Sequence, residues 1–476
     1  MSDNFWALVI AVINIGLWSI LYVYIYYNLL LIWLEWHTRN KTTPPPPAPE
    51  EWPGVTVQLP MYNEAEVCEA LLAAVVALDY PRDKLHIQVL DDSTDRTSAL
   101  VAARVAEYQR QGVSVSHLQR VDRVGYKAGA LAEGLLETDD PFLLLLDADF
   151  LPNPTLLREV LPHFADPKVG MVQARWGHIR PPATSLERSA AFWIDRHFAI
   201  EQVARSRSGH FFHFNGTGGV WRRSAIDDAG GWAADTLAED LDLSLRAWQK
   251  GWRFVYAHDT IVPALLPPDV RSLKIQQGRW STGAFQVARK HLPALWRSSQ
   301  RKRDVAFITL QVTGYSFPTL LLALALFAAP AAWARPHLGS FWRFTMIDLP
   351  AISFVVGLIV QAVISGARRG RQAGWLEFEA SSLGLGLAPL VFSAGLQGLR
   401  SLGGAFQRTP KRTGGAEWLW SSGAAIEVGL AIWCAAGAVG AGLLGGWSCV
   451  PIPLVASVGL AVFGVGSMRG SAARTP

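Results

Sequence analysis

The chain has 476 residues, of which 50% are hydrophobic and only 17% are charged, and it contains 20 tryptophans. The length allows two or three domains. The charged share is well below that of an average soluble protein, which excludes a purely soluble protein and predicts membrane-spanning segments beside a soluble portion. The excess of basic over acidic residues is 43 − 39 = 4, too small to indicate nucleic acid as a partner. The three cysteines lack the spacing of a disulfide framework or a metal site.

The first apolar stretch, Phe5–Trp36, is rich in aromatic residues. It is too long for a signal-peptide core and has no small-residue cleavage site, so we expect residues 1–41 to form a retained transmembrane helix. Arg39 and Lys41 follow it, which places that side in the cytoplasm. Residues 42–53 include a run of four prolines and are predicted to form a stiff linker.

Residues 54–270 are predicted to form a cytoplasmic α/β domain. Predicted strands alternate with predicted helices, and this alternation favours a largely parallel sheet whose first half resembles the nucleotide-binding half of a doubly wound fold. The predicted strands are Val55–Leu59, His86–Leu90, Ser114–Gln119 and Phe142–Leu146, and the predicted helices are Glu64–Leu78 and Ala128–Glu137.

Residues 271–303 alternate apolar and basic side chains, which is typical of an amphipathic helix at a membrane interface. Residues 304–476 then contain further apolar stretches long enough to span a bilayer. These candidates are Val305–Ala334, in which Pro318 could introduce a kink, Leu349–Gly366, Ala424–Leu444 and Val450–Gly466.

The stretch Leu383–Leu399 is ambiguous because it is rich in glycine, is interrupted by Pro389 and has basic segments on both sides. If both flanks are cytoplasmic, it enters and leaves on one side or lies in the interface, which gives five spans and a cytoplasmic C-terminus. A sixth span is the alternative. Glu427 lies in an otherwise apolar stretch, where it either faces protein or a channel, or lies close to the interface.

Two polar motifs in the first half of the α/β domain are candidates for nucleotide binding. Asp91 and Asp92 follow the second predicted strand, where carboxylates can accept hydrogen bonds from a base or ribose, although an Asx-turn is an alternative explanation. Lys127, within Gly125–Ala130, lies at a predicted helix start, where it could contact a diphosphate or simply be solvated.

Asp147 and Asp149 come at the end of the apolar run Phe142–Leu146. Open α/β sheets bind ligands at this edge, and two such carboxylates can approach a divalent cation and the phosphates it bridges. An acidic turn without a ligand is the alternative. Phe214–Gly219 is a glycine-rich loop that could bring backbone donors close to a sugar, but its spacing is not that of a nucleotide-binding fingerprint.

Glu239 and Asp240 open a predicted amphipathic helix, and we regard Asp240 as the candidate general base. Acidic residues at a first helical turn also interact with the helix dipole, which is the alternative. Arg279 and Trp280 offer a cation for a pyrophosphate and a flat apolar face for a pyranose ring. An ordinary aromatic belt residue is the alternative for Trp280.

The ordered set of these motifs, followed by apolar helices, resembles the processive family 2 glycosyltransferases, which are inverting enzymes of GT-A fold and include cellulose, chitin and hyaluronan synthases. Longer stretches are similar to plant cellulose-synthase-like mannan and glucomannan synthases. The matching stretches are Gln58–Glu64, Gln88–Asp95, Gly125–Leu131, Asp147–Phe150, Phe214–Gly219 and Gln276–Trp280.

The resemblance implies a role for each matching residue. Donor and nucleotide binding falls to Asp91, Asp92, Lys127, Asp147 and Arg279, and Asp149 ligates Mg²⁺ or Mn²⁺. Asp240 is the catalytic base. Acceptor binding falls to Gly216, Thr217, Glu239, Gln276 and Trp280. Within 400–415, the residues Phe406, Thr409 and Lys411 match a gating loop of cellulose synthases.

The resemblance further implies an inverting, metal-dependent transferase that builds a β-linked polysaccharide such as a glucomannan or β-glucan from GDP-mannose, GDP-glucose or UDP-glucose. The alternative is transfer of a single hexose to a ceramide- or diacylglycerol-type lipid, and a transporter or receptor is a third reading. Its partners would be the donor, a growing glycan or lipid acceptor and membrane lipids, with an accessory export subunit compatible. The composition of the C-terminal region is compatible with a bacterial inner membrane.

Overall fold

The computed structural model describes residues 3–40, 46–369, 371–404, 409 and 421–472. Its strands, in chain order, are β1 (Val55–Met61), β2 (Leu85–Asp91), β3 (Val115–Gln119), β4 (Phe142–Leu145), β5 (Val169–His178), β6 (Gly219–Arg222) and β7 (Arg253–Ala264). They form one sheet in the order β3-β2-β1-β4-β6-β5-β7. Neighbours are parallel except at β6, which runs antiparallel to β4 and β5. The predicted largely parallel mixed sheet is confirmed.

Helices connect most of the strands and also form most of the described chain after β7. In chain order they are α1 (Asp3–Thr38), α2 (Cys68–Val76), α3 (Thr97–Arg110), α4 (Tyr126–Leu136), α5 (Leu156–Val160), α6 (Ser185–Arg196), α7 (Val203–Arg207), α8 (Arg223–Asp228), α9 (Glu239–Gln249), α10 (Val270–Arg297), α11 (Lys302–Val312), α12 (Ser316–Leu326), α13 (Ala328–Ala334), α14 (Ser340–Arg343), α15 (Leu349–Arg369), α16 (Arg371–Gly386), α17 (Ala388–Arg400), α18 (Ser421–Leu443) and α19 (Pro451–Ala472).

Strand β4 lies at the centre of the soluble domain and contributes to both of its hydrophobic cores. Phe142 and Leu144 pack with α2, α3 and α5 on one face of the sheet. Leu143 and Leu145 pack with α4, α8 and α9 on the other. A strand covered on both faces reads as a continuous apolar run, which explains why this element was recognisable from sequence.

The predicted helix Glu64–Leu78 was too long at its start, since α2 begins only at Cys68. The chain first turns at Asn63, whose φ of 57° is left-handed. The carbonyl oxygen of Glu64 then accepts hydrogen bonds from the backbone of Val67 and Cys68. Because residues 63–67 form this turn, the helix begins at Cys68 and not at Glu64.

Four helical stretches of the described chain are long and apolar enough to cross a membrane, and two bent helix pairs could raise the number to six. The four are Asp3–Thr38, Ser340–Val360, Ala424–Leu443 and Trp447–Ser467. The predicted stretch Val305–Ala334 is not one straight span, because α11 and α12 meet at 64°. The stretch Leu383–Leu399 contains a 50° bend between α16 and α17, which fits either a broken span or a re-entrant loop.

The first bend does not lie at Pro318, where the sequence suggested a kink. It lies between Val312 and Ser316, around Gly314. Pro318 instead occupies the first turn of α12, where the missing N–H has no intrahelical partner to lose.

Helix α10 covers the segment predicted to be an interfacial amphipathic helix. It is more deeply buried than that prediction implies, because every residue from Ser281 to Ala288 is buried. One side of this stretch packs against the start of α9 and another against α17. Near its beginning, the buried Lys274 forms an ion pair with Glu427 of α18, so Glu427 faces protein.

Candidate functional site

A cleft opens beyond the carboxyl end of β4, between the sheet and α10. It brings together predicted residues that are far apart in the chain and belong to six different elements or loops. Those on its wall are Lys127, Asp147, Asp149, Gly216, Glu239, Asp240, Gln276, Arg279, Trp280 and Thr409.

The two carboxylates after β4 are held by backbone contacts to neighbouring segments. The backbone N–H of Asp147 donates to the hydroxyl of Thr217 at 2.8 Å. The carbonyl oxygen of Asp149 accepts from the backbone N–H of Leu265 at 3.2 Å. Thr217 is fully buried, so it lies behind the cleft and supports Asp147 instead of reaching the cleft itself.

Lys127 lies in the first turn of α4, directly after two left-handed residues, Gly125 (φ 74°) and Tyr126 (φ 50°). Its Nζ atom lies 2.6 Å from Asp147 Oδ1 and donates to the carbonyl oxygen of Gly216 at 3.0 Å. Burial by itself would lower the pKa of Lys127, but the nearby carboxylates, Asp147 first, raise it overall. Lys127 is therefore a permanent cation within the cleft.

Asp240 lies in the first turn of α9 and is held in place through Ser244. The Ser244 hydroxyl donates to the Asp240 carbonyl oxygen at 2.6 Å and accepts from the backbone N–H of Phe214 at 3.0 Å. This fixes the glycine-rich loop against α9. Gly216 has a φ of 83°, and a Cβ atom there would lie 3.0 Å from Asp240 Oδ2 and 3.7 Å from Lys127 Nζ. Glycine thus leaves open the space beside the Asp240 carboxyl group and the Lys127 ammonium group.

Burial and the adjacent Glu239 raise the pKa of Asp240 to about 7, against the opposing influence of Lys127 and Arg279. A carboxylate with a pKa near neutrality can take a proton from a hydroxyl far better than an ordinary one, because general bases work best when their pKa is close to the working pH. The electrostatics of the cleft thus suit the role predicted for Asp240.

The side of the cleft formed by α10 is aromatic. The ring of Trp280 lies 6.4 Å from that of Trp176, which in turn packs on Phe150 at 5.0 Å and Phe198 at 5.1 Å. Trp176 lies on β5, and its indole N–H donates to the carbonyl oxygen of Thr217 at 3.3 Å. Sequence analysis missed Trp176, since it belongs to no recognisable motif and only the sheet brings it to the cleft.

Asp91 and Asp92 lie at the same edge of the sheet but not on the cleft wall. Asp91 bonds to His117 Nε2 at 2.8 Å, and Asp92 pairs with Arg120, whose Nε donates to it at 2.8 Å. Burial would raise the pKa of Asp91, but the bonds from His117 and Ser93 lower it to about 2. The nucleotide role of these two acids stays a prediction. Phe406 and Lys411 lie outside the described residues.

Asp147 and Asp149 supply hard oxygen donors at the open side of the cleft. No cluster of three or more histidine, cysteine or acidic side chains suited to a metal occurs within the described chain. The described part of the cleft therefore offers only part of a coordination shell. This composition fits Mg²⁺ or Mn²⁺, which can be held by one or two carboxylates with substrate phosphates supplying further oxygens.

Comparisons with known proteins point in one direction. Residues 53–283 match the family described as "Glycosyltransferase like family 2". Glucomannan 4-beta-mannosyltransferase 2 of Arabidopsis thaliana is 41% identical over 254 residues, which cover 52% of this chain and 48% of that protein. Glucomannan 4-beta-mannosyltransferase 1 of Oryza sativa subsp. japonica is 40% identical over 256 residues, covering 52% and 49%. The chain thus matches about half the length of these relatives.

A solved structure shares the fold. The mannosyltransferase PcManGT from Pyrobaculum calidifontis, in complex with GDP-Man and Mn²⁺, superposes with a TM-score of 0.55. It is 24% identical, and the match covers 78% of this chain and 99% of that one.

Proposed function

We propose that this chain, whose residues 53–283 match the family 2-like glycosyltransferases and whose fold is of GT-A type, transfers a hexose from a nucleoside diphosphate sugar to a growing β-glycan of the mannan type. The observation that carries the proposal is the convergence of a cation, two carboxylates and a carboxyl group of raised pKa in one cleft, namely Lys127, Asp147, Asp149 and Asp240.

The position of each residue in the cleft suggests its role in the proposed reaction. Asp240 takes the proton of an acceptor hydroxyl while the hydroxyl oxygen bonds to the anomeric carbon of the donor sugar. The bond from that carbon to the diphosphate breaks on the opposite face, which inverts the configuration. Lys127 and Arg279 stabilise the negative charge that develops on the departing diphosphate. Trp280 and Trp176 supply apolar faces for pyranose rings.

Mg²⁺ or Mn²⁺ beside Asp149 would offset charge on the leaving diphosphate. The carboxylate oxygens of Asp147 and Asp149 fit either ion. The Mn²⁺ in the similar mannosyltransferase structure supports a divalent cation for this chain as well.

We propose GDP-mannose as the first donor to test, because the similar proteins are named as mannosyltransferases and the solved one holds GDP-Man. GDP-glucose and UDP-glucose are the further candidates. The full chain in detergent would be incubated with each labelled donor, with and without MgCl₂ or MnCl₂. We expect an insoluble, β-mannanase-sensitive polymer to form when GDP-mannose is supplied together with the metal salt. Label only in a chloroform-soluble product would instead indicate transfer to a lipid.

The apolar helices support a membrane protein, and we propose that its soluble domain lies on the cytoplasmic side, where nucleotide sugars are available. Membrane lipids would then surround α1 and the helices after α10. The two relatives reported above are plant proteins, so the expected bacterial inner membrane has no support from them and stays a prediction. An export subunit stays a prediction as well.

A further inference from the structure

One buried glutamine of α10, Gln286, connects two segments that are distant in sequence. Its side chain is completely buried. Oε1 accepts a hydrogen bond from the backbone N–H of Leu237 at 2.8 Å. Nε2 donates to the carbonyl oxygens of Ser401 and Gly403, at 3.2 Å and 2.5 Å. The three bonds satisfy both ends of the amide.

Leu237 lines the cleft, and the end of segment 401–404 packs beside it. Leu237 comes two residues before α9, so its backbone sets the direction in which Glu239 and Asp240 enter the cleft. Residues 401–404 follow α17, and the backbone N–H of Gly403 also donates to the carbonyl oxygen of Asp235 at 2.7 Å. The same helix, α10, carries Gln276, Arg279 and Trp280 further towards its start.

Close packing makes this connection stiff. A Cβ atom on Gly283 would lie 2.8 Å from the Cβ of Ala238 and 2.9 Å from its backbone nitrogen. A Cβ atom on Gly398, near the end of α17, would lie 2.5 Å from the carbonyl oxygen of Thr282. Because no side chain separates α10 from either neighbour at these points, a shift on one side is passed to the other.

We propose that Gln286 is a positioning residue that ties segment 401–404 to the start of α9 and thereby sets the place of Asp240 in the cleft. Gln286 does not line the cleft and acts through Leu237, which does. The inference rests on the proposed transferase function. Loss of a buried amide leaves backbone donors and acceptors without partners in a place where water cannot replace them. A small displacement of a catalytic group is enough to slow a reaction strongly.

The test compares Gln286→Glu with Gln286→Met in the full-length chain. Glutamate keeps the acceptor for Leu237 but loses the donor for Ser401 and Gly403, whereas methionine loses both. Arg289→Gln, at an exposed position of the same helix, is the matched control. With GDP-mannose as donor, we expect kcat to fall by about 100-fold in Gln286→Met, with the donor KM within about twofold because Lys127 and Asp147 are not displaced. The control should match wild type.

Hydrogen–deuterium exchange gives a readout that does not depend on activity. In Gln286→Glu, faster exchange is expected in residues 401–404 and also in residues 235–241, although the acceptor for Leu237 is kept. Faster exchange in 401–404 alone would overturn the inference, as would a normal kcat in folded Gln286→Met. If wild type uses no donor at all, the proposed function fails while the exchange experiment still decides the role of Gln286.

Discussion

Two aspartates on the same helix should respond to the same isosteric substitution with opposite changes in stability. Asp240 has its pKa raised from 3.8 to about 7, first by burial and then by Glu239. Asp242, two residues later, has its pKa held well below the usual range. Burial opposes this, but His291 Nε2 at 2.6 Å, Lys290 Nζ at 2.7 Å and Arg246 Nε at 2.8 Å from its oxygens outweigh burial.

The sign of each effect follows from linkage. Where the folded-state pKa is raised, as for Asp240, the contribution of that group to the free energy of unfolding is fully present below about pH 4 and is lost as the pH rises towards 7. A tenfold change in proton affinity corresponds to about 1.4 kcal/mol, so the ionised carboxylate destabilises the fold by up to about 4 kcal/mol at pH 8. Partial exposure reduces this to about 2 to 4 kcal/mol. Asp240→Asn should remove that loss and stabilise the protein.

Asp242→Asn should do the reverse. It leaves the partly buried cations of Lys290 and Arg246 without their common partner, which destabilises by roughly 1 to 3 kcal/mol because solvent still screens both cations. Since the folded-state pKa of Asp242 is lowered, this loss is largest at neutral pH and shrinks as the pH falls below about 4.

Thermal unfolding of the full chain in detergent, followed by tryptophan fluorescence at pH 8 and pH 5 without substrate, measures both effects. Asp240→Asn should melt above wild type at pH 8 by a margin that shrinks at pH 5, and Asp242→Asn should melt below wild type at both. Equal destabilisation by the two substitutions at pH 8 would refute the reasoning, because it would mean that Asp240 bears no burial penalty.

Three further outcomes are expected. The kcat/KM of wild type should rise with pH with a midpoint at about pH 7 and level only above it. Glu239→Gln should move this midpoint to lower pH because it removes the neighbouring anion, and an unchanged midpoint would contradict the coupling. Lys127→Met should raise the donor KM by about 10- to 100-fold, measured by isothermal titration or initial rates. Unaltered donor affinity would exclude Lys127 from the diphosphate site. Gly283→Ala should lower both the melting temperature and kcat, because the added Cβ atom would lie 2.8 Å from the Cβ of Ala238. Gly437→Ala is the control: its Cβ atom would meet nothing within 4 Å, so kcat should be unchanged.

Local patterns were sufficient wherever an element's environment is uniform along its length. Strand β4 is buried on both faces, so its apolar run and the carboxylates of Asp147 and Asp149 could be placed correctly without any tertiary contact. The same holds for α1, whose apolar length predicts a span. The bend near Gly314 was misplaced at Pro318 because a proline in a first turn is tolerated and a pattern of apolar residues does not show where one helix ends.

Residues that act through contacts distant in sequence could not be predicted. Trp176 and Gln286 belong to no motif. Trp176 becomes part of the aromatic side of the cleft only because β5 places it beside Trp280. Gln286 becomes a buried bridge only because α10 packs between two loops. Thr217 was expected in the acceptor site, but its hydroxyl is used behind the cleft to hold Asp147.

The sequence by itself determined the class of this protein: a largely parallel α/β domain, apolar helices and an ordered set of acidic, basic and aromatic motifs, since these depend on periodicity and on which residues follow a strand. The tertiary structure alone decided how those residues differ from one another. Asp240 and Asp242 are chemically identical and two positions apart, yet one faces Glu239 in the cleft and the other faces three cationic or protonatable side chains. Electrostatic energy depends on distance and burial, which neighbours in sequence do not specify.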